Sequence, residues 1–468
     1  FGSSNEEAAC NGRAAATIVE GAVMAKRCLE VPCDVLTPGA LPFYDAATAF
    51  RLGAGDRQLR NTLRQLTDVN VTLRRKRLHP SSAASLAQTI GTLGGLKTLE
   101  ADISFSYLGE EGAQELAQAI GSSGSLTHLS LALSGCRPGA SGTRKIAQEL
   151  GSLRSLVRLK VDSGFNDTGD SGLRELSHAI SLLSNLVSLK LNLNRNHLGD
   201  VGMGWLAQAV GTLPGLTELQ LFLFDNRIGE AGIHELARAI RNLRAPSRLA
   251  LGLNRNSISE AAVQELAQAT CVLTGLKEME LYLSVSSIGW AGAHDLSLAV
   301  GSLQGLLSLV LDLNVNQIGA AGARLLTQAL SSQQNLGSLR FLASGNRIRE
   351  VGTHELAQAV ASLQGLRSLE LDVSGNGIGD IGARELARAI SSLPLLSRLV
   401  ADLRGNLLGE IGTRELAQAL GAMPSLAHLE LRLDGNSRGS GEAGPSHTDL
   451  AHAVQRLQTG GCVCSCTW

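Results

Sequence analysis

Two hydrophobic periods alternate along this chain. Within residues 216–243, Leu219, Leu221 and Leu223 alternate with residues of other kinds, the period-2 mark of a strand buried on one face. Leu236, Ala239, Ile240 and Leu243 then follow the i, i+3, i+4, i+7 spacing of a helix with one buried face. The segment predicts a strand, a turn and a helix. The pattern recurs at a spacing of 30 residues, placing Val69, Leu99, Leu129, Leu159, Leu189, Leu219, Leu249, Met279, Leu309, Leu339, Leu369, Leu399 and Leu429 in one column. From Val69 to Leu433 the frame never slips over these thirteen units. A stack of units in which each rests on its neighbour at one height demands that constancy.

Other columns describe the turn. Asn226 has counterparts at Asn166, Asn196, Asn256, Asn316, Asn346, Asn376, Asn406 and Asn436. An inward amide there is expected to bond backbone groups freed where the strand turns, which would otherwise be buried unpaired. Gly229 and Gly232 recur as Gly199/Gly202, Gly289/Gly292, Gly319/Gly322 and Gly379/Gly382, suiting a tight helix entry or close approach of neighbouring units. The residue after the first of these is often acidic, as in Asp200, Glu230, Asp380 and Glu410, and favours the helix dipole.

Leu-x-x-Leu-x-Leu, then Asn-x-Ile-Gly-x-x-Gly and Leu-Ala-x-Ala-Ile/Leu, resemble leucine-rich repeats of the ribonuclease-inhibitor subtype over about residues 63 to 457. NOD-like receptors and the Ran GTPase-activating protein carry that subtype. The resemblance implies an α/β solenoid, a horseshoe with a parallel sheet on the concave face and helices on the convex face. The strand block here, Leu-x-Leu-x-Leu before the Asn, is two residues longer than the usual pattern and resembles long repeat arrays predicted in unicellular eukaryotes. The expected organisation is a segment and cap over 1–62, the repeat domain over 63–457 and a Cys-containing tail over 458–468, the tail loose from Gly460 onward.

Composition narrows the function classes. The 41 Lys and Arg nearly cancel the 42 Asp and Glu, which removes the broad field that non-specific nucleic-acid or membrane binding uses. No nucleic-acid or membrane partner is expected. The eight cysteines are too scattered for a disulfide scaffold and point to an intracellular, cytoplasmic or nuclear setting. No apolar run reaches the roughly 18 residues of a spanning helix. The chain begins at Phe1 rather than Met, so it gives no reading of a leader.

Outward strand positions are the default binding surface of the implied architecture. One column there holds Asp102, Asp162, Asp312, Asp372 and Asp402, and a neighbouring one holds Arg340 among other charges. The same columns carry Phe222 and Tyr282, with Phe224 just beyond, and clustered exposed aromatics make better contact anchors than charges. These nine residues are the candidate partner-binding set for one or more proteins. Arg74, Arg75, Lys76 and Arg77 form the densest basic run, which suits a nuclear-import signal. The resemblance to the Ran GTPase-activating protein adds an alternative reading as a GTPase-activating protein. Cys462, Cys464 and Cys466 are candidates for a soft metal or a lipid, although structural zinc more often uses Cys-x2-Cys pairs. His234, His294 and His354 lie two units apart, too far to share a metal. No phosphate loop, nucleophile elbow or His-Glu-x-x-His is present, so neither a cofactor, a metal nor an enzyme activity is expected.

Overall fold

The computed structural model describes residues 67–72, 74, 90–91, 93, 95–423, 425–436 and 445–467. The expected 1–62 segment, Arg75 to Arg77 and the loop 437–444 lie outside the described residues. The chain divides into two compact units, residues 1–168 with 175–187, and residues 169–174 with 188–468.

In the first unit, β1 (Asp68–Thr72), β2 (Thr98–Asp102), β3 (His128–Ala132) and β4 (Arg158–Asp162) are neighbours in chain order. They run parallel, with Val69 beside Leu99, Leu99 beside Leu129 and Leu129 beside Leu159. In the second unit the same order continues through β5 (Ser188–Asn192), β6 (Glu218–Phe222), β7 (Arg248–Gly252), β8 (Glu278–Tyr282), β9 (Ser308–Asp312), β10 (Ser338–Leu342), β11 (Ser368–Asp372), β12 (Arg398–Asp402), β13 (His428–Arg432) and β14 (Val463–Thr467). A helix of 12 to 15 residues follows every strand from β2 to β13, because parallel neighbours need a crossover connection. Each unit is therefore an α/β repeat solenoid. Since register equals repeat length within each unit up to β13, a column of sequence becomes a column in space inside each unit.

The core lies between sheet and helices. Leu219, Leu221 and Leu223 are fully buried, as is Leu236 on the facing helix. That helix, Glu230–Arg241, also buries Gly232, Ile233, Ala237, Ala239 and Ile240. It stops before Leu243, whose N–H donates to Ile240 O at 3.1 Å from the following turn. The expected fourth turn is thus a chain reversal that keeps the leucine in the core.

The Asn column behaves as its chemistry requires. In the second unit, Asn376 Nδ2 donates to Ala343 O and Val373 O, both at 2.9 Å. Its Oδ1 accepts from Asn346 N at 2.9 Å and Ile348 N at 3.1 Å. One buried amide so serves the backbone of two successive turns.

The acid at the start of the helix acts differently from the dipole reading alone. Asp200 Oδ1 accepts from Gly229 N at 2.6 Å and Gly232 N at 3.0 Å in the next repeat. Asp380 serves Gly409 N and Gly412 N in the same way, at 2.7 and 2.9 Å. Gly229 and Gly409 are extended, and their helices begin one residue later. Where the preceding repeat has Glu350 instead, Gly379 turns to φ +67° and its N–H donates forward to Asn406 O at 2.9 Å. The shorter carboxylate reaches the amide, and the peptide follows it.

The far end corrects the expectation of a loose tail. Residues 463–467 form β14, parallel to β13, with Cys464 beside Leu429 and Cys466 beside Leu431. That last register step is 35 residues, longer than the repeat, and includes the helix Pro445–Thr459. Cysteines take the place of the core leucines in the final rung.

Candidate interaction face

The outward side chains of β6, β7 and β8 build the most distinctive surface of the second unit. Phe222, Gly252 and Tyr282 are register neighbours. A Cβ on Gly252 would lie 2.1 Å from Phe224 Cε1 and 3.0 Å from Phe222 Cδ1. The missing side chain is what lets the rings close over β7. Phe222 and Phe224 meet edge to face at 5.9 Å between centroids, and Tyr282 lies 6.3 Å from Phe222 and 5.9 Å from Phe224. These are separations at which aromatic pairs attract beyond their burial. Lys190 Nζ stands 5.3 Å from the Phe222 ring centroid, a cation–π distance. All three rings are half-buried.

Tyr282 closes the cluster with polar chemistry. Its hydroxyl donates to Glu280 Oε2 at 3.0 Å. Burial, reinforced by the Glu280 charge, pushes its phenol up to about 12. Glu280 in turn pairs with Arg248 at 2.7 Å, and Arg248 reaches Glu278 at 3.0 Å. Arg340 pairs with Glu370 across the next strand pair, at 2.8 Å.

The acidic column is engaged with its own turns. Asp102 accepts from Ser104 N at 3.0 Å, and Asp372 from Ser374 N at 3.0 Å and Oγ at 2.7 Å. Asp162 accepts from Gly164 N at 3.4 Å and from Ser134 Oγ. Asp312 takes Asn314 N at 3.3 Å, Asn254 Nδ2 at 3.2 Å and Ser284 Oγ. Asp402 binds the Arg404 guanidinium at 2.6 Å. Asp312 and Asp402 are buried, and the other three are half-exposed. An aspartate two residues before the acceptor-hungry amide of a turn is a local cap, so the expected acidic stripe is a row of turn acceptors.

The remaining candidates separate. Arg74 is exposed in the turn after β1. Cys462 is buried and Cys464 and Cys466 are half-buried. Burial, then the Cys462 thiol, pushes Cys464 up to about 12, which keeps it a thiol rather than a thiolate. His234 and His354 pair with Glu265 and Glu385 of the following helices at 2.7 and 3.0 Å. Among the described residues, no group of three or more His, Cys, Asp or Glu can hold a metal ion, and no helix is long and apolar enough to cross a membrane. Sequence reasoning missed Phe105, Tyr107 and Phe165, which are exposed in the turns of the first unit. Their signal was an aromatic in turn columns that elsewhere hold Gly, polar or aliphatic residues.

Residues 187–207 and 366–387 match the family model described as Leucine Rich repeat. These two segments are similar to leucine-rich repeats. Each match begins before a strand, β5 or β11, and ends inside the following helix, so it covers the leucine-rich face, the Asn turn and the helix entry together. No curated protein matches the chain. Among solved structures, the chain is similar to one in the Rad7 and Elc1 complex in yeast at 16% identity and a TM-score of 0.45, covering 95% of this chain and 94% of that one. It is also similar to one in the TLR13–ssRNA13 complex, at 17% identity and a TM-score of 0.33, covering 84% of this chain and 57% of that one.

Proposed function

We propose that this leucine-rich repeat chain, of the ribonuclease-inhibitor-like subtype, is a non-catalytic module that binds a partner protein on the open face of its sheet. The Phe222, Phe224 and Tyr282 cluster is the contact anchor. One observation carries the reading: three aromatic rings, half-exposed, stand together on a sheet face whose repeated positions are otherwise mostly polar. Such rings ordinarily sit in cores or interfaces, and their area is already ordered at little further entropic cost. Arg340 and the turn-bound aspartates Asp312, Asp372 and Asp402 of the same unit complete the proposed contact set as its polar surround, while Asp102 and Asp162 lie in the first unit.

The test is affinity capture with the wild-type chain and a Phe222→Ala/Phe224→Ala/Tyr282→Ala variant, followed by titration of the captured partner. Loss of the partner with the variant's circular dichroism intact supports the site. Retention of every captured partner removes it.

A further inference from the structure

Phe105 and Phe165 hold φ angles of 60° and 59°, in the left-handed region where a side chain costs about 1–2 kcal/mol. The same place in the repeat is Gly at 135, 345, 375, 405 and 435 and Arg, Asp or Val at 195, 225, 255, 285 and 315, all at positive φ, so the turn takes this conformation whatever side chain it carries and does not itself call for an aromatic one. Burial does not offset the strain, since Phe105 is 37% and Phe165 46% exposed. Gly135 stands between them, and a Cβ there would come within 2.5 Å of Phe105 Cδ1. That space brings the two rings to 6.3 Å between centroids. Tyr107, 60% exposed, lies beside them with the Arg137 guanidinium 5.8 Å from its ring centroid. Three aromatic rings gathered on one exposed surface are contact anchors rather than core residues.

Charge identifies the occupant. Arg158 and Lys160 project from the open face of β4, five to seven residues before Phe165, and both are exposed. Neither takes an ion pair among the described residues. Within the second unit, Arg248, Arg340 and Arg432 on the same face are each matched by a glutamate, while the exposed Arg398 takes no ion pair among the described residues. We infer that this patch of the first unit docks an extended segment of a partner protein, its carboxylates on Arg158 and Lys160 and an aromatic or leucine anchor on Phe105 and Phe165. A nucleic-acid strand fits less well. Glu100, Asp102 and Asp162 stand among the same strands, so a backbone charged at every nucleotide would meet a carboxylate for each cation. The site uses none of the second unit's aromatic residues and stands or falls separately from it.

Random short peptides displayed on phage are selected on the whole chain, and the strongest is synthesised with a fluorophore and titrated. The expected consensus sets acidic residues roughly five residues from Phe, Trp or Leu, the reach from Lys160 to Phe165 along an extended chain. A Phe105→Gly/Phe165→Gly variant is expected to keep or raise the urea midpoint while weakening the peptide at least about ten-fold. An Arg158→Glu/Lys160→Glu variant, with no backbone change, is expected to weaken it as much. The inference is overturned by a selection without an acidic and apolar consensus, or by a peptide whose affinity survives either variant. It is equally overturned if labelled oligouridylate binds more tightly than the peptide and displaces it, which would reassign the patch to nucleic acid.

Discussion

At the scale of single residues, this protein is governed by which backbone amide finds which acceptor. Asn376 satisfies four backbone groups in a site that water does not reach. Asn376→Ala should therefore lower the unfolding free energy by about 3–5 kcal/mol, since each stranded buried group costs about 1–3 kcal/mol and the turns relax only in part. A urea titration checks it, and a loss below about 1 kcal/mol would show that the ladder is dispensable. Arg349 holds the position that Gly379 holds one repeat later, with φ +59°. Arg349→Gly removes left-handed strain and is expected to raise stability by about 1 kcal/mol, read as a higher urea midpoint at unchanged m-value. The columns of Asn and Gly were plain in the sequence because each residue type has a distinctive backbone use. What no column revealed was the role of Asp200 and Asp380. Their partners are amides of the next repeat, and only the fold places a carboxylate 2.6 Å from a residue 29 positions away.

At the scale of elements, strand and helix were legible because their periods differ, 2 against 3.6. The helix ends were less so. Leu243 continues the helical spacing, yet the chain has already turned, because apolar spacing records which side chains are buried and not how the backbone brings them there. The aromatic cluster shows the same division. Phe222 and Tyr282 share a column, but their contact depends on Gly252 in the strand between them. Gly252→Ala should force those rings apart and cost about 1–3 kcal/mol, with loss of the Phe222 and Tyr282 proximity readable by NMR. Tyr282 also gives the element a pH signature. Its folded value, about 12, lies above the ordinary 10 of the phenol. The neutral form is thus favoured by folding, so this stabilisation is fully present below pH 10 and is lost as pH rises from about 10 through about 12. Absorbance at 295 nm should show a phenolate forming near pH 12 in the wild type and not in Tyr282→Phe.

At the scale of the whole molecule, near-neutral charge and a repeated core leave the ends as the points of exception. Leu450, Ala453, Val454 and Leu457 of the final helix are buried, and β14 pairs with β13. A chain ending at Asn436 should lose at least about 5 kcal/mol, from two or more large side chains at about 2–3 kcal/mol each. It should also bind 8-anilinonaphthalene-1-sulfonate, and an unchanged thermal midpoint with no dye fluorescence would show that the terminal helix and strand are not a cap. Composition gave no warning of β14. Its cysteines were read as a loose ligand set, yet in the fold their side chains alternate like the leucines of every other strand.

The sequence by itself determined the repeat length, the alternation of strand and helix, the buried leucine face and the Asn turns. Those follow from periodicity, and periodicity is a property of order along the chain. The tertiary structure decided which amide each Asp reaches, which Gly opens space for an aromatic ring, whether an Asp column faces solvent or its own turn, and that the cysteine tail is a strand. Each of these depends on a distance between residues at least a repeat apart, or on the path of one turn, and neither is written in the spacing of hydrophobic residues.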